Sequence, residues 1–347
     1  MPQISLLDCT LRDGGFINGW RFGEVTIRGI FHHLTNAGID VVEVGFLNAQ
    51  AALDNNCTLL PNTSAVKKLF GHIPRKRALV VAMIDYGTCP LASIEPAANS
   101  FLDGIRVIFK KARMKEALAF CRALQALGYL VFVQPVSITD YTPDELNALL
   151  TLVGDLRPHA VSIVDTYGLL APHEVLAYFH AFHRALPLEI TVGYHAHNNL
   201  QLGFAACQAL AQEAAMHAPL RQLLFDATLF GMGKSAGNTP LELLALFENK
   251  RLPERYDLGE LLAALEAFVL PFCHAPSWGY QLPYFMAAAA RVHPSYVLFL
   301  QNEAGLDAKT AFDLLQEIPQ EKKLYFDREL ADALCHKKGI AAAPHLR

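Results

Sequence analysis

A chain of 347 residues, 52% hydrophobic and 18% charged, can bury a large core and exceeds the length of most small single domains. Its formal net charge of −4 argues against nucleic acid or an anionic membrane as the main partner, since both select a basic surface. Seven cysteines are dispersed without a C-x-x-C pair, the usage of reduced thiols in a cytoplasmic protein and not of a disulfide framework. No basic region followed by an apolar run opens the chain, so no signal peptide is expected. No apolar stretch reaches transmembrane length.

The strand candidates, in chain order, are Ile4–Asp8, Val41–Phe46, Ala78–Ile84, Gly104–Phe109, Tyr129–Pro135, Ala160–Asp165, Ile190–His195 and Gln222–Ala227. They are near-continuous runs rich in Val and Ile, as expected where both faces of a sheet are covered. Helix-period segments lie between them, at Gly23–Ala37, Arg113–Leu127, Pro143–Leu156, Pro172–Leu186 and Leu200–His217. This alternation predicts an α/β fold, a TIM (β/α)8 barrel with a helical C-terminal region. An open doubly wound sheet is the alternative, but no G-x-G-x-x-G follows the first strand. After Pro253 the rhythm changes to helices at Leu258–Pro271, Tyr284–His293 and Ala308–Ile318, punctuated by Pro271, Pro276, Pro283, Pro294 and Pro319. The expected division is a catalytic barrel over 1–250 and a helical region over 251–347 that packs on it.

Two distant segments carry the chemistry. LLDCTLRDGG reads as the first strand running into a loop and supplies Arg12 and Asp13, and GYHAHNNLQLG after the seventh strand supplies His195 and His197. Strands one and seven of a barrel can aim their carboxyl ends into one pocket. Residues at i and i+2 leave the same face of a strand, so the two imidazoles point together. Taken singly, a strand-end histidine is more often a hydrogen-bonded core residue; the three together make a facial site for a divalent metal. Oxygen and nitrogen donors without thiolate suit Mn²⁺ or Mg²⁺ better than a structural zinc. Asn198 and Asn199 either support the site or cap the following helix.

The Arg12 guanidinium can stabilise an enolate oxygen or grip a carboxylate, or serve as a structural ion pair. In FGMGKSAGNTP, after the eighth strand, glycines such as Gly233 permit close approach to a ligand. Asn238 in that loop either turns its amide oxygen to the metal or caps the last barrel helix. Lys234 either pairs with an anionic substrate or is solvated. Glu43 and Asp165, at strand ends, are candidates for a proton shuttle, a support behind the metal ligands or an ion pair with Arg12. Gln134 and Thr166 can donate to or accept from substrate oxygens. Tyr280 and Tyr284, in WGYQLPYF, are candidate general acids, with packing as their commoner use.

LDCTLRDGG, H-A-H-N-N and G-M-G-K-S-A-G-N, in that order, resemble the DRE-TIM metallolyases, the HMG-CoA lyase-like superfamily, over roughly residues 4–250. The overall size is most similar to its 4-hydroxy-2-oxovalerate aldolase branch. The resemblance implies that Asp13, His195 and His197 hold the metal, with Asn238 as an extra ligand, and that Arg12 stabilises an enolate. It also implies a divalent-metal-dependent aldolase that cleaves a 4-hydroxy-2-oxo acid to pyruvate and an aldehyde, through an enolate held by the metal and Arg12. Two positions depart from the pattern. The aldolase branch has its acid/base histidine where this chain has Phe16, and the acyl-CoA lyases have a catalytic cysteine in the loop where Phe230–Pro240 has none. Tyr280, Tyr284 or a water therefore inherit the proton transfer.

Two other readings remain at this stage. One is a Claisen-type acyl-CoA condensing transferase on the same barrel, for which no basic, adenine-binding segment is evident. The other is a non-catalytic binding or assembly subunit, which Phe16 favours and the retained Arg12, Asp13, His195 and His197 oppose. The expected substrate is a small 2-oxo acid. A homodimer is expected from the apolar composition and helical tail, and the aldolase branch implies an aldehyde dehydrogenase as a candidate partner.

Overall fold

The computed structural model describes residues 2–273 and 278–337; Pro276 and the end of the helical tail lie outside the described residues. Eight parallel strands close on themselves: β1 (Ile4–Asp8), β2 (Val41–Leu47), β3 (Leu79–Asp85), β4 (Gly104–Phe109), β5 (Leu130–Pro135), β6 (Ala160–Asp165), β7 (Thr191–Ala196) and β8 (Leu223–Ala227). Closure comes from β1, which pairs with β2 through Leu7 and Val41 and with β8 through Leu6 and Phe225. The fold is therefore the TIM barrel that the alternation implied, with each strand within a residue of its expected bounds. A two-residue strand, Leu59–Leu60, adds to the outer side of β2.

The strands are hydrophobic on both faces because both are covered. Inside lie Leu7, Val41, Val81, Phe132 and Leu224, while the outward set joins the surrounding helices in one continuous core. Helix ends follow local signals. Pro143–Leu156 opens with Thr142 and Glu145 in a reciprocal capping box and Pro143 in its first turn, which together satisfy otherwise orphaned N–H groups. In β2, Gly45 has φ +143 and a Cβ there would strike the Thr58 carbonyl. That carbonyl accepts the Phe46 N–H at 3.0 Å, so only glycine allows the strand to kink beside the site.

The C-terminal segments divide by what they bury. Leu261, Ala264, Leu265 and Val269 join the barrel core, and Phe268 lies directly over Gly29 of the Glu24–Asn36 helix. The expected helix Leu258–Pro271 is α-helical only to Ala264. It then loosens into a π turn at Leu265–Val269 and a 3-10 turn at Leu270–Phe272, where Pro271 has no N–H to continue the ladder. A separate small core runs from Met286 to Cys335. It includes two helices that sequence periodicity did not reveal, Pro294–Leu298 and Arg328–Lys337.

This second unit sits on the loops that follow β5 and β6. Tyr167 donates to the Leu324 carbonyl at 3.1 Å, Tyr325 donates to Asp140 at 3.1 Å, and Arg291 pairs with Glu174 at 3.3 Å. Among the described residues no helix is long and apolar enough to cross a membrane.

Candidate active site

The segment after β1 is a short helical turn, Thr10–Asp13, where a loop was expected. Asp8 accepts the Thr10 N–H at 3.0 Å and its hydroxyl at 2.7 Å, and the Thr10 hydroxyl in turn accepts the Leu229 N–H at 2.8 Å. These bonds tie the turn to the loop after β8 and hold Arg12 and Asp13 at the carboxyl end of the barrel. His195 leaves β7, and His197 stands one residue beyond the end of that strand. Their rings lie 5.2 Å apart at right angles. The ligand atoms of Asp13, His195 and His197 all lie within 4.8 Å of one another, and all three residues are buried.

Each histidine is oriented through Nδ1. His195 Nδ1 lies 3.0 Å from Asp226, and His197 Nδ1 lies 3.3 Å from the Gly237 carbonyl. Both rings thereby keep the other nitrogen for the centre of the cluster, the arrangement by which metal-binding histidines are aligned. Asn238 is drawn in by a β-bridge to His197, and its Nδ2 donates to Asp13. Its buried Oδ1 has no hydrogen-bond partner. A buried carbonyl oxygen left unpaired next to a carboxylate and two imidazoles fits a divalent cation. Gly233 is what permits the approach, because a Cβ there would collide with both Asn238 Nδ2 and Asp13 Oδ2.

Behind the cluster runs a buried chain of charges, of which sequence reading missed Arg106 and Asp226. Arg12 donates through Nε to Glu43 at 2.8 Å and through Nη1 to Asp13. Glu43 also pairs with Arg106 at 3.1 Å, and Arg106 pairs with Asp226. Arg106 and Asp226 lie in β4 and β8 and are fully or almost fully buried. The available signal was a lone charge in each apolar run, GIRVIF and LLFDA, since a buried charge must be paired. Glu43 is thus an ion-pair partner of Arg12, one of the roles expected for it.

Burial alone would raise the Asp13 pKa, but Arg12, His197, His195 and the Asn238 hydrogen bond outweigh it and hold the carboxyl below its usual range. Burial pushes His197 down to about 4, against the pull of Asp13. Near neutral pH Asp13 is therefore a carboxylate and His197 a neutral imidazole, the forms that ligate metal.

A cavity of about 110 Å³ faces this cluster, lined by Arg12, Asp13, Phe16, Gln134, Thr166, His195, His197 and Lys234 among others. Gln134 donates to Ser162 at 2.9 Å, and the Thr166 hydroxyl accepts the Ser137 N–H at 2.7 Å. The Lys234 ammonium lies 5.5 Å from the Phe16 ring centroid. Tyr284 lines the adjoining cavity, next to Phe16 and Lys234.

Two expected residues are not brought to the cluster. The Asp165 carboxylate accepts the Leu169 and Leu170 N–H groups and organises the loop after β6. Tyr280 is 63% exposed, with its ring beside Phe285. Asn198 accepts the Gly203 N–H at 3.1 Å, at the start of the following helix.

A family model described as HMGL-like matches residues 3–268. A 4-hydroxy-2-oxovalerate aldolase of Geobacillus genomosp. 3 is 27% identical over 286 residues, 80% of each chain. An oxaloacetate decarboxylase of Mycobacterium tuberculosis is 27% identical over 271 residues, 76% of each chain. The crystal structure of hydroxymethylglutaryl-CoA lyase from Pseudomonas aeruginosa superposes with a TM-score of 0.61 at 16% identity, covering 80% of this chain and 94% of that one.

Proposed function

The chain belongs to the HMGL-like family, and on that premise we propose that it is a divalent-metal-dependent aldolase. It cleaves a 4-hydroxy-2-oxo acid to pyruvate and an aldehyde, or runs the reverse condensation. The observation that carries this reading is the buried Asp13–His195–His197 cluster with the unpaired Asn238 Oδ1 beside it and Arg12 at its edge. The aldolase name of the Geobacillus relative supports the substrate class. The decarboxylase name of the Mycobacterium relative describes action on another 2-oxo acid.

Asp13, His195 and His197 would hold the metal, with Asn238 Oδ1 as a further ligand. When bound, such an ion polarises a carbonyl oxygen and favours negative charge on it. The chain's own residues then account for the rest. Glu43 and Asp13 hold the Arg12 Nε and Nη1 groups, and Nη2 has no protein partner among the described residues. That free donor serves the oxygen on which charge collects when the C3–C4 bond breaks. In the cleavage a cavity water takes the 4-hydroxyl proton, the C3–C4 electron pair passes into the pyruvate enolate, and C3 takes up a proton whose donor is replenished from that water. Tyr284, whose pKa burial raises, keeps its phenolic proton near neutral pH and is the proposed donor to C3. Phe16, Phe46, Val136 and Val164 line the cavity with apolar surface, which limits water around the enolate.

Pyruvate release from 4-hydroxy-2-oxo acids, followed by coupling to lactate dehydrogenase, tests the proposal. The buried cluster, in a chain whose family is enzymatic, leaves the reading as a non-catalytic assembly subunit without support.

A further inference from the structure

Next to the metal cavity lies a larger one of about 440 Å³, bounded by the ends of β3–β6 and by the C-terminal unit. The two share Ile108, Val136, Thr166 and Lys234, so a ligand leaving the cluster past Thr166 enters it directly. Its lining is charged in a way that the proposed cleavage leaves unused. Lys110 and Lys234 both border it, and among the described residues neither ammonium has an ion-pair partner. Each lies against an aromatic face instead, Lys110 at 5.7 Å from Tyr325 and Lys234 at 5.5 Å from Phe16.

His293 borders the same space, and its Nδ1 accepts the Ser295 N–H at 3.1 Å. Burial, with Lys234 and Lys110 nearby, pushes its pKa down to about 4. Near neutral pH the ring is therefore uncharged, with its proton on Nε2 as a hydrogen-bond donor. Asp85 is the one carboxylate among the lining residues. Two ammoniums against one carboxylate leave an excess positive charge. Lys234 is half-buried, and an anionic ligand group offsets the desolvation of its ammonium, while Lys110 is exposed and acts on Asp85 across the cavity.

We propose that this second cavity receives the aldehyde half of the substrate, and that this half carries an anionic group, carboxylate or phosphate, held between Lys110 and Lys234. The inference rests on the aldolase reading and adds the substrate's chemical class. A small apolar aldehyde would leave Lys234 and the His293 donor unanswered, and a site built for polar partners discriminates against ligands that lack them.

The test is a condensation assay on the full chain with Mn²⁺, pyruvate and three aldehydes: propionaldehyde, succinic semialdehyde and glyceraldehyde 3-phosphate. At least one anionic aldehyde should exceed the neutral one in kcat/KM by about tenfold or more. Whether the carboxylate or the phosphate member does so identifies the group. Lys110→Glu should lower that preference about tenfold, and Lys110→Arg should keep it. A preference for propionaldehyde, or an unchanged ratio in Lys110→Glu, overturns the inference. Exchange of the pyruvate methyl protons with D₂O, measured without aldehyde, separates the two levels. Exchange without an anion preference overturns this inference alone, and no exchange overturns the aldolase reading and this inference with it.

Discussion

His195 and Asp226 stand on neighbouring strands with the imidazole Nδ1 3.0 Å from a carboxylate oxygen, and the same carboxylate pairs with the buried Arg106. One side chain thus fixes the orientation of a metal ligand and neutralises a charge inside the barrel. Asp226→Asn keeps a hydrogen-bonding group but loses the charge, and should lower Mn²⁺ affinity about 10–100-fold. Titration followed by electron paramagnetic resonance measures this, and unchanged affinity would refute the role. Asp226→Ala also strips Arg106 of that partner and should cost about 3–5 kcal/mol in denaturant unfolding.

Arg12→Ala removes the donor assigned to the enolate oxygen. Glu43 retains Arg106, so the fold should survive. The expected result is a kcat lower by about a hundredfold or more with metal binding retained. Near-wild-type turnover in a folded, metal-binding variant contradicts the assignment.

Gly233→Ala places a methyl group against Asn238 Nδ2 and Asp13 Oδ2. Overpacking of this kind typically costs about 1–3 kcal/mol. The more telling expectation is lost Mn²⁺ binding in a protein that still shows cooperative unfolding. Wild-type affinity in this variant would mean that the loop does not close on the cluster as described.

His293 links stability to pH. Its pKa falls from 6.5 to about 4 in the fold, so between those values the unfolded chain binds the proton and the folded one does not. Its contribution is therefore present above 6.5 and is lost as pH falls towards 4. His293→Asn can keep the cap on Ser295 but cannot take up the proton. Unfolding free energies from pH 4 to 7 should rise less steeply in the variant than in the wild type. Equal slopes would show that His293 contributes nothing to the dependence.

The barrel was legible because its strands are apolar on both faces and its helices carry local caps, as at Thr142 and Glu145. Asp13, His195 and His197 were legible because strand-end placement alone brings them together. Arg106 and Asp226 were not, since pairing across β4, β8 and the segment after β1 depends on barrel closure, which no local pattern encodes. Asp165 shows the converse. Its position at a strand end suggested chemistry, but the backbone groups of Leu169 and Leu170 take both of its oxygens. In the C-terminal unit, short helices broken by prolines and π turns lack the sustained period that sequence reading needs.

The most direct test of the account is pyruvate release by metal-stripped protein, with and without Mn²⁺ or Mg²⁺, from a panel of neutral and anionic 4-hydroxy-2-oxo acids. The account predicts pyruvate only when metal is added, and its loss in Asp13→Asn. Pyruvate formed equally without metal, or none from any member while an acyl-CoA and a 2-oxo acid release free thiol, would contradict it.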